Sequence, residues 1–219
     1  TFLPLFAKAV TKIRVEDDQP SEIRLEKREF EEGKYFQVIR VLKNEVPVEK
    51  VAVFNLGKHG RRLVLKEGES RFAPLDGVLP TFWVTVPTDE KLGLGFFLNG
   101  PFKLDIGRAK IHRNLKSNLR TVQEMKHDFW RGLEDMWDYY EKAGEAESYE
   151  RWKSLWKLFG SGFRIRYKDN PEEVGTKLLR ELLWGEDGGN PQGYHRFLRK
   201  RRVLPNGLDQ APMLIELER

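Results

Sequence analysis

Residues 79–111 read LPTFWVTVPTDEKLGLGFFLNGPFKLDIGRAKI, and this stretch decides the fold class. Phe82–Val86 and Gly95–Leu98 are short apolar runs rich in Phe, Trp and Val. Pro80, Pro87, Gly93, Gly100 and Pro101 bound them, which is the pattern of strands separated by turns. The stretch then passes Lys103, Leu104, Asp105, Ile106 and Gly107 to reach Arg108, ahead of a strongly helical segment. A cation at such a corner serves equally as a surface partner for acidic groups or as a contact for a phosphate, because a guanidinium stays charged and offers a planar fork.

Working outward toward the N-terminus, similar runs recur. Residues 11–15, 22–28, 35–42, 51–55 and 62–65 are expected strands, with Gly57, Gly60, Gly68 and Gly77 as punctuation. The run EIRLEKR at 22–28 alternates apolar and charged residues, as a half-exposed strand does. Residues 2–10 carry apolar residues at helical spacing and are expected to form a short helix. Beyond residue 115 the period changes. Leu119, Val122, Met125, Phe129, Leu133, Met136, Trp137 and Tyr140 recur at steps mostly of three and four, predicting one long amphipathic helix over 115–142. Further helices are expected at 149–159, at 172–184 behind Asn170 and Pro171, and at 194–202. Residues 213–217 are a closing strand and 185–193 a loop. The expected class is therefore α+β: a mostly antiparallel sheet with packed helices over 1–115, and an all-helical segment with a basic end over 116–219.

Composition narrows the chemistry. The 219 residues are 39% hydrophobic and 12% aromatic, a globular composition with enough chain for a sizeable core. The 39 basic and 34 acidic residues leave a net charge of only +5, short of a nucleic-acid signature by itself. There is no cysteine, which excludes disulfides, thiolate metal sites and cysteine nucleophiles. No apolar run approaches the ~20 residues that span a bilayer, so no membrane partner is expected and a cytoplasmic location is. The opening TFLPLFAKAVTKIRV lacks an initiator Met and a signal-peptide pattern, and reads as the start of a piece of a longer protein.

Most site motifs fail. His59, His112, His127 and His195 form no HxxxH or HxH pair, so no metal site is expected. Ser161 lacks a nucleophile elbow, and neither GxxxxGK[ST] nor GxGxxG occurs. Trp130, Trp137, Trp152 and Trp156 lie at helical spacing and read as core. The run YHRFLRKRR places Arg196, Arg199, Lys200, Arg201 and Arg202 around Phe197 and Leu198. These cations are a candidate nucleic-acid contact, whose binding would weaken steeply with salt, or else a solvated helix end favoured by the dipole. A third class, a scaffold whose helices dock a partner, stays open.

Residues 2–15 (FLPLFAKAVTKIRV), 79–88 (LPTFWVTVPT) and 96–111 (FFLNGPFKLDIGRAKI), followed by Asn118, resemble a known family. They look like the region after the nucleotide-binding domain in sacsin-like and NO VEIN-like proteins of the gyrase, heat-shock chaperone, histidine kinase and MutL (GHKL) ATPase superfamily. The resemblance covers roughly residues 1–120. Its signature is an apolar strand, Asn99–Gly100–Pro101–Phe102, then an Asp-bearing turn to Arg108. It implies a transducer domain that couples ATP binding, in a preceding Bergerat-fold domain, to movement of the helices. Arg108 would then be the catalytic and cofactor-contacting residue at the γ-phosphate. ATP and Mg would be the cofactors of the full-length parent, with its own N-terminal domain and a second copy of itself as partners. The family's settings are chaperone-like or antiviral defence. The Bergerat motifs themselves are not found here: Asp187–Gly188–Gly189 imitates one of them but stands after the transducer-like region, so the fragment is not expected to bind or hydrolyse ATP well alone.

Overall fold

The computed structural model describes residues 12–15, 21–26, 35–57, 60–75, 79–107, 109–112, 115–159 and 173–183. Within them the chain is α+β. Nine strands form one sheet: β1 (Lys12–Val15), β2 (Ser21–Glu26), β3 (Phe36–Lys43), β4 (Val46–Asn55), β5 (Arg62–Glu67), β6 (Phe72–Ala73), β7 (Phe82–Val84), β8 (Val86–Pro87) and β9 (Phe96–Asn99). Three helices accompany it: α1 (Leu115–Glu141), α2 (Glu145–Lys157) and α3 (Val174–Leu183). The expected helix at 2–10, the basic segment 194–202 and the closing strand 213–217 lie outside the described residues.

Strands β1 to β5 follow one another as an antiparallel meander. The order then jumps: β9 pairs with β5, β7 lies parallel to β9, and β8 closes the path on β7, while β6 pairs with the far end of β5. The expected strand 82–86 is broken at Thr85, whose φ of 65° lies in the left-handed region that β-branched residues rarely enter. Thr85 is the turn of a tight hairpin in which Val84 pairs with Val86. Pro87 is tolerated there because β8 ends the path of paired strands.

The middle strands are apolar on both faces, which explains their continuous runs. In register, Phe54, Leu63, Leu98 and Phe82 line one face, and Val53, Val64 and Phe97 the other. The first face joins the helices in a single core that holds Phe36, Phe54, Leu98, Phe129, Met136, Leu155 and Leu182. The second holds a smaller group that includes Ile39, Val41, Val51, Val64, Trp83 and Phe97.

The predicted stripe of α1 is its buried stripe: Val122, Met125, Phe129, Leu133 and Met136 are fully enclosed. This helix has no acidic residue in its first turn and no basic one in its last. Packing, rather than charge at the helix ends, therefore stabilises it. α2 begins at Glu145, four residues earlier than its apolar pattern indicated, directly after Gly144 at φ 128°. α3 lays Leu178, Leu179, Leu182 and Leu183 against the core, and its Gly175 sits close to the Phe82 ring.

Candidate functional site

Arg108 itself lies outside the described residues, but the chain on both sides of it is described. Gly107 and Asp105 precede it and Ala109 to His112 follow. Leu104 and Ile111 form an isolated antiparallel bridge. Inside that bridge the Asp105 amide N–H donates to the Lys110 carbonyl at 2.9 Å, and just outside it the His112 N–H donates to the Lys103 carbonyl at 2.8 Å. The Asp105 carboxylate reaches across the turn and accepts the N–H groups of Ala109 and Lys110, at 3.0 and 3.3 Å. The segment after position 108 is thus part of a bridged loop, where the sequence led to an expectation of a helical segment close behind. α1 starts only at Leu115.

A second loop is laced to this one. The Asp89 N–H donates to the Ala109 carbonyl at 2.6 Å. Glu90 accepts the Ile111 N–H through Oε1 at 3.0 Å. Thr88 braces the same loop, its hydroxyl donating to the Phe82 carbonyl at 2.7 Å and accepting the Glu90 N–H at 3.2 Å. Glu90 is half-buried, and that burial raises its pKa; the Ile111 N–H opposes the rise, Glu173 adds to it, Lys110 opposes it and Asp105 adds to it.

The Asn–Gly–Pro–Phe phrase has a structural role at every residue but the exposed proline. Asn99 is buried and bridges two loops, accepting the Thr85 N–H at 2.9 Å and donating to the Gly60 carbonyl at 2.6 Å. Gly100 lets α1 approach: a Cβ there would come within 2.3 Å of the Met125 methyl carbon and 3.1 Å of the Phe102 ring. Phe102 turns back into the core, edge-on to Phe82 with ring centres 5.2 Å apart. Asn118, fully buried on α1, holds the next residue by both ends of its amide. Its Oδ1 accepts the Lys103 N–H at 2.7 Å and its Nδ2 donates to the Lys103 carbonyl at 3.1 Å. A side chain so placed mimics a strand partner, and it ties the corner to the first turn of α1.

A second polar group, which sequence reading missed, lies between the sheet and α2. Arg151 is buried. Its Nε donates to Glu147 at 2.9 Å, its Nη1 to the Gly68 carbonyl at 2.8 Å and its Nη2 to the Glu69 carbonyl. The guanidinium lies over the Tyr140 ring at 4.7 Å, and 3.7 Å from Glu67. Glu67 also takes Lys50 at 2.9 Å, while its Oε2 and the Tyr140 hydroxyl are buried without a hydrogen-bond partner. Burial, then the nearby Glu67 carboxylate, drives the Tyr140 pKa far upward. The guanidinium and its partners act as a key between helix and sheet. In the sequence Arg151 is one of many charges on a helix, with nothing to mark it as inward-facing.

The remaining candidates separate. Arg196, Arg199, Lys200, Arg201 and Arg202 lie outside the described residues. Trp137 and Trp152 are core, as their spacing indicated, and Trp130 packs partly buried against it. His112 and His127 are exposed. Among the described residues no group of three or more His, Asp or Glu is placed to hold a metal ion, and no helix is long and apolar enough to cross a membrane. Comparison with protein-family models, with curated proteins and with solved structures finds no match.

Proposed function

We propose that this chain is the transducer and helical part of a GHKL-type ATPase, coupling nucleotide held by a preceding domain to movement of its helices. In this reading Arg108 meets the γ-phosphate, where a cation stabilises developing charge. The observation that carries it is the lacing of the corner around position 108. Asp105, Asp89 and Glu90 bind the backbone on the C-terminal side of that position, and Asn118 binds Lys103 to α1. A force applied at position 108 therefore passes through short hydrogen bonds to the sheet and to a 27-residue helix. In this reading ATP and Mg are held by the preceding domain, as the resemblance implies.

The test is Arg108→Ala in the full-length protein. Loss of ATP turnover by at least about tenfold, with an unchanged melting temperature, is the expected outcome. Turnover equal to that of the unaltered protein would remove the role of Arg108 and the reading with it.

A further inference from the structure

Residues 101–120 read PFKLDIGRAKIHRNLKSNLR and carry six Lys and Arg, at positions 103, 108, 110, 113, 116 and 120, against the single acid Asp105. The surplus in this stretch equals the +5 of the whole chain, so elsewhere the charges cancel. Lys103, Lys110 and Lys116 are exposed. Asp105 is half-buried and directs its carboxylate onto the N–H groups of Ala109 and Lys110. The first turn of α1 adds no acid. On the neighbouring loop Asp89 and Lys91 are both exposed and cancel in charge, while Glu90 points onto the Ile111 N–H.

The bridge between Leu104 and Ile111 sets how these side chains point. Leu104 packs against the core and Ile111 is buried. Successive residues of an extended chain face opposite ways, so Lys103 and Lys110 point away from the core as diagonal neighbours across the bridge. Ile106 stands beyond them in the turn. It is fully exposed, more so than any other large apolar side chain among the described residues. The loop that carries it is braced, since Asp105, Asp89 and Glu90 hold its returning limb through backbone hydrogen bonds. A lone exposed apolar side chain is ordinary. One held out into water by a braced loop and framed by cations fits a surface that is anionic outside and apolar within.

We propose that the loop over 103–110 docks on an anionic lipid surface, with Ile106 entering the acyl boundary and Lys103 and Lys110 resting among the headgroup phosphates. In contacts of this kind the burial of apolar area and the attraction of basic residues to an anionic leaflet add to one another. A nucleic-acid backbone would engage the same cations and leave Ile106 in water. Among the described residues no helix is long and apolar enough to cross a membrane, and a loop lying at the interface needs none. The contact requires neither a nucleotide nor a preceding domain, so it stands apart from the role proposed for Arg108.

The experiment is co-sedimentation of the 219-residue chain with lipid vesicles. Binding is expected to vesicles of phosphatidylserine and phosphatidylcholine in equal parts, and not to phosphatidylcholine alone. Ile106→Ser is expected to weaken binding at least about threefold. Lys103→Gln combined with Lys110→Gln is expected to weaken it at least about tenfold. All three positions are exposed, so the melting temperature should not move. Should the lysine pair not fold, Lys110→Gln alone takes its place, with an expected loss of at least about threefold. No binding to the mixed vesicles overturns the proposal, as does equal binding to both kinds of vesicle. Undiminished binding in either variant overturns it too. In Ile106→Ser it would leave a purely electrostatic contact, of the kind a nucleic acid also makes. In the lysine variant it would move the contact to other cations, such as those at 196–202.

Discussion

Gly132 sits in the middle of α1, where alanine would ordinarily be favoured by about 1 kcal/mol. The packing reverses that preference. A Cβ at this position would lie 2.7 Å from the ring of Phe54, whose backbone is fixed by strand pairing, and 3.0 Å from the Tyr35 carbonyl, which accepts the Asn55 N–H at 2.8 Å. Neither can retreat as the tip of a flexible side chain can. Gly132→Ala is therefore expected to destabilise by about 1–3 kcal/mol despite its better helix propensity. Urea denaturation reads this directly, and a stabilised variant would show that α1 does not approach β4 so closely. Glycine in a helical run is visible in the sequence as a defect. That the defect is a contact surface for Phe54 is not, because the partner lies 78 residues away along the chain.

Among the elements, α2 shows how a helix can be fixed by polar contacts within an apolar site. It follows a glycine with no side-chain cap. Leu155 and Trp152 bury an apolar face, while Arg151 and Ser154 set its position against β6: Ser154 accepts the Phe72 N–H at 2.8 Å. Removing the Arg151 guanidinium leaves Glu67 buried beside one cation instead of two. Arg151→Ala is thus expected to cost about 3–5 kcal/mol, and Arg151→Met clearly less, because the longer chain still fills the space over Tyr140. Equal losses in thermal denaturation would mean that filling the space over Tyr140 contributes nothing and that the charged contacts carry the whole effect. The hydrophobic period announced this helix but set its start late, since residues 145–148 carry no large apolar side chain. Arg151 escaped notice because a charge on a helix is normally solvated, and only the fold carries this one inward.

At the scale of the whole molecule, the sheet and all three helices share one core, and partly buried carboxylates couple its stability to pH. Burial raises the pKa of Glu90 and of Asp135, the latter partly offset by the Tyr35 and Phe36 N–H groups. A carboxyl whose pKa is higher folded than unfolded holds a proton that the unfolded chain has already lost. Its contribution is most favourable at low pH and declines as pH rises from the unfolded value through the raised one. Glu124 runs the other way: its hydrogen bond to Arg61 holds its pKa down, so its contribution is lost as pH falls. Glu90→Gln keeps an acceptor for the Ile111 N–H and removes the charge. It is expected to be more stable than the parent chain at about pH 7, with the difference shrinking toward about pH 4. A constant difference across that range in urea titrations would place the Glu90 effect outside proton linkage.

The sequence by itself determined the α+β class, the strand segments of the middle sheet and the buried stripe of α1. Each of these rests on local periodicity, which a chain displays whether or not it is folded. It also singled out Asn99, Gly100, Phe102 and Asn118 through a resemblance, without saying what they do. Tertiary structure decided the rest. It broke the 82–86 run at Thr85, inserted β9 between β5 and β7, bridged the loop after Arg108, and turned Arg151 inward. These outcomes depend on which distant side chains meet across strands and helices. A donor is orphaned, a charge buried or a glycine crowded only by neighbours that the fold brings together.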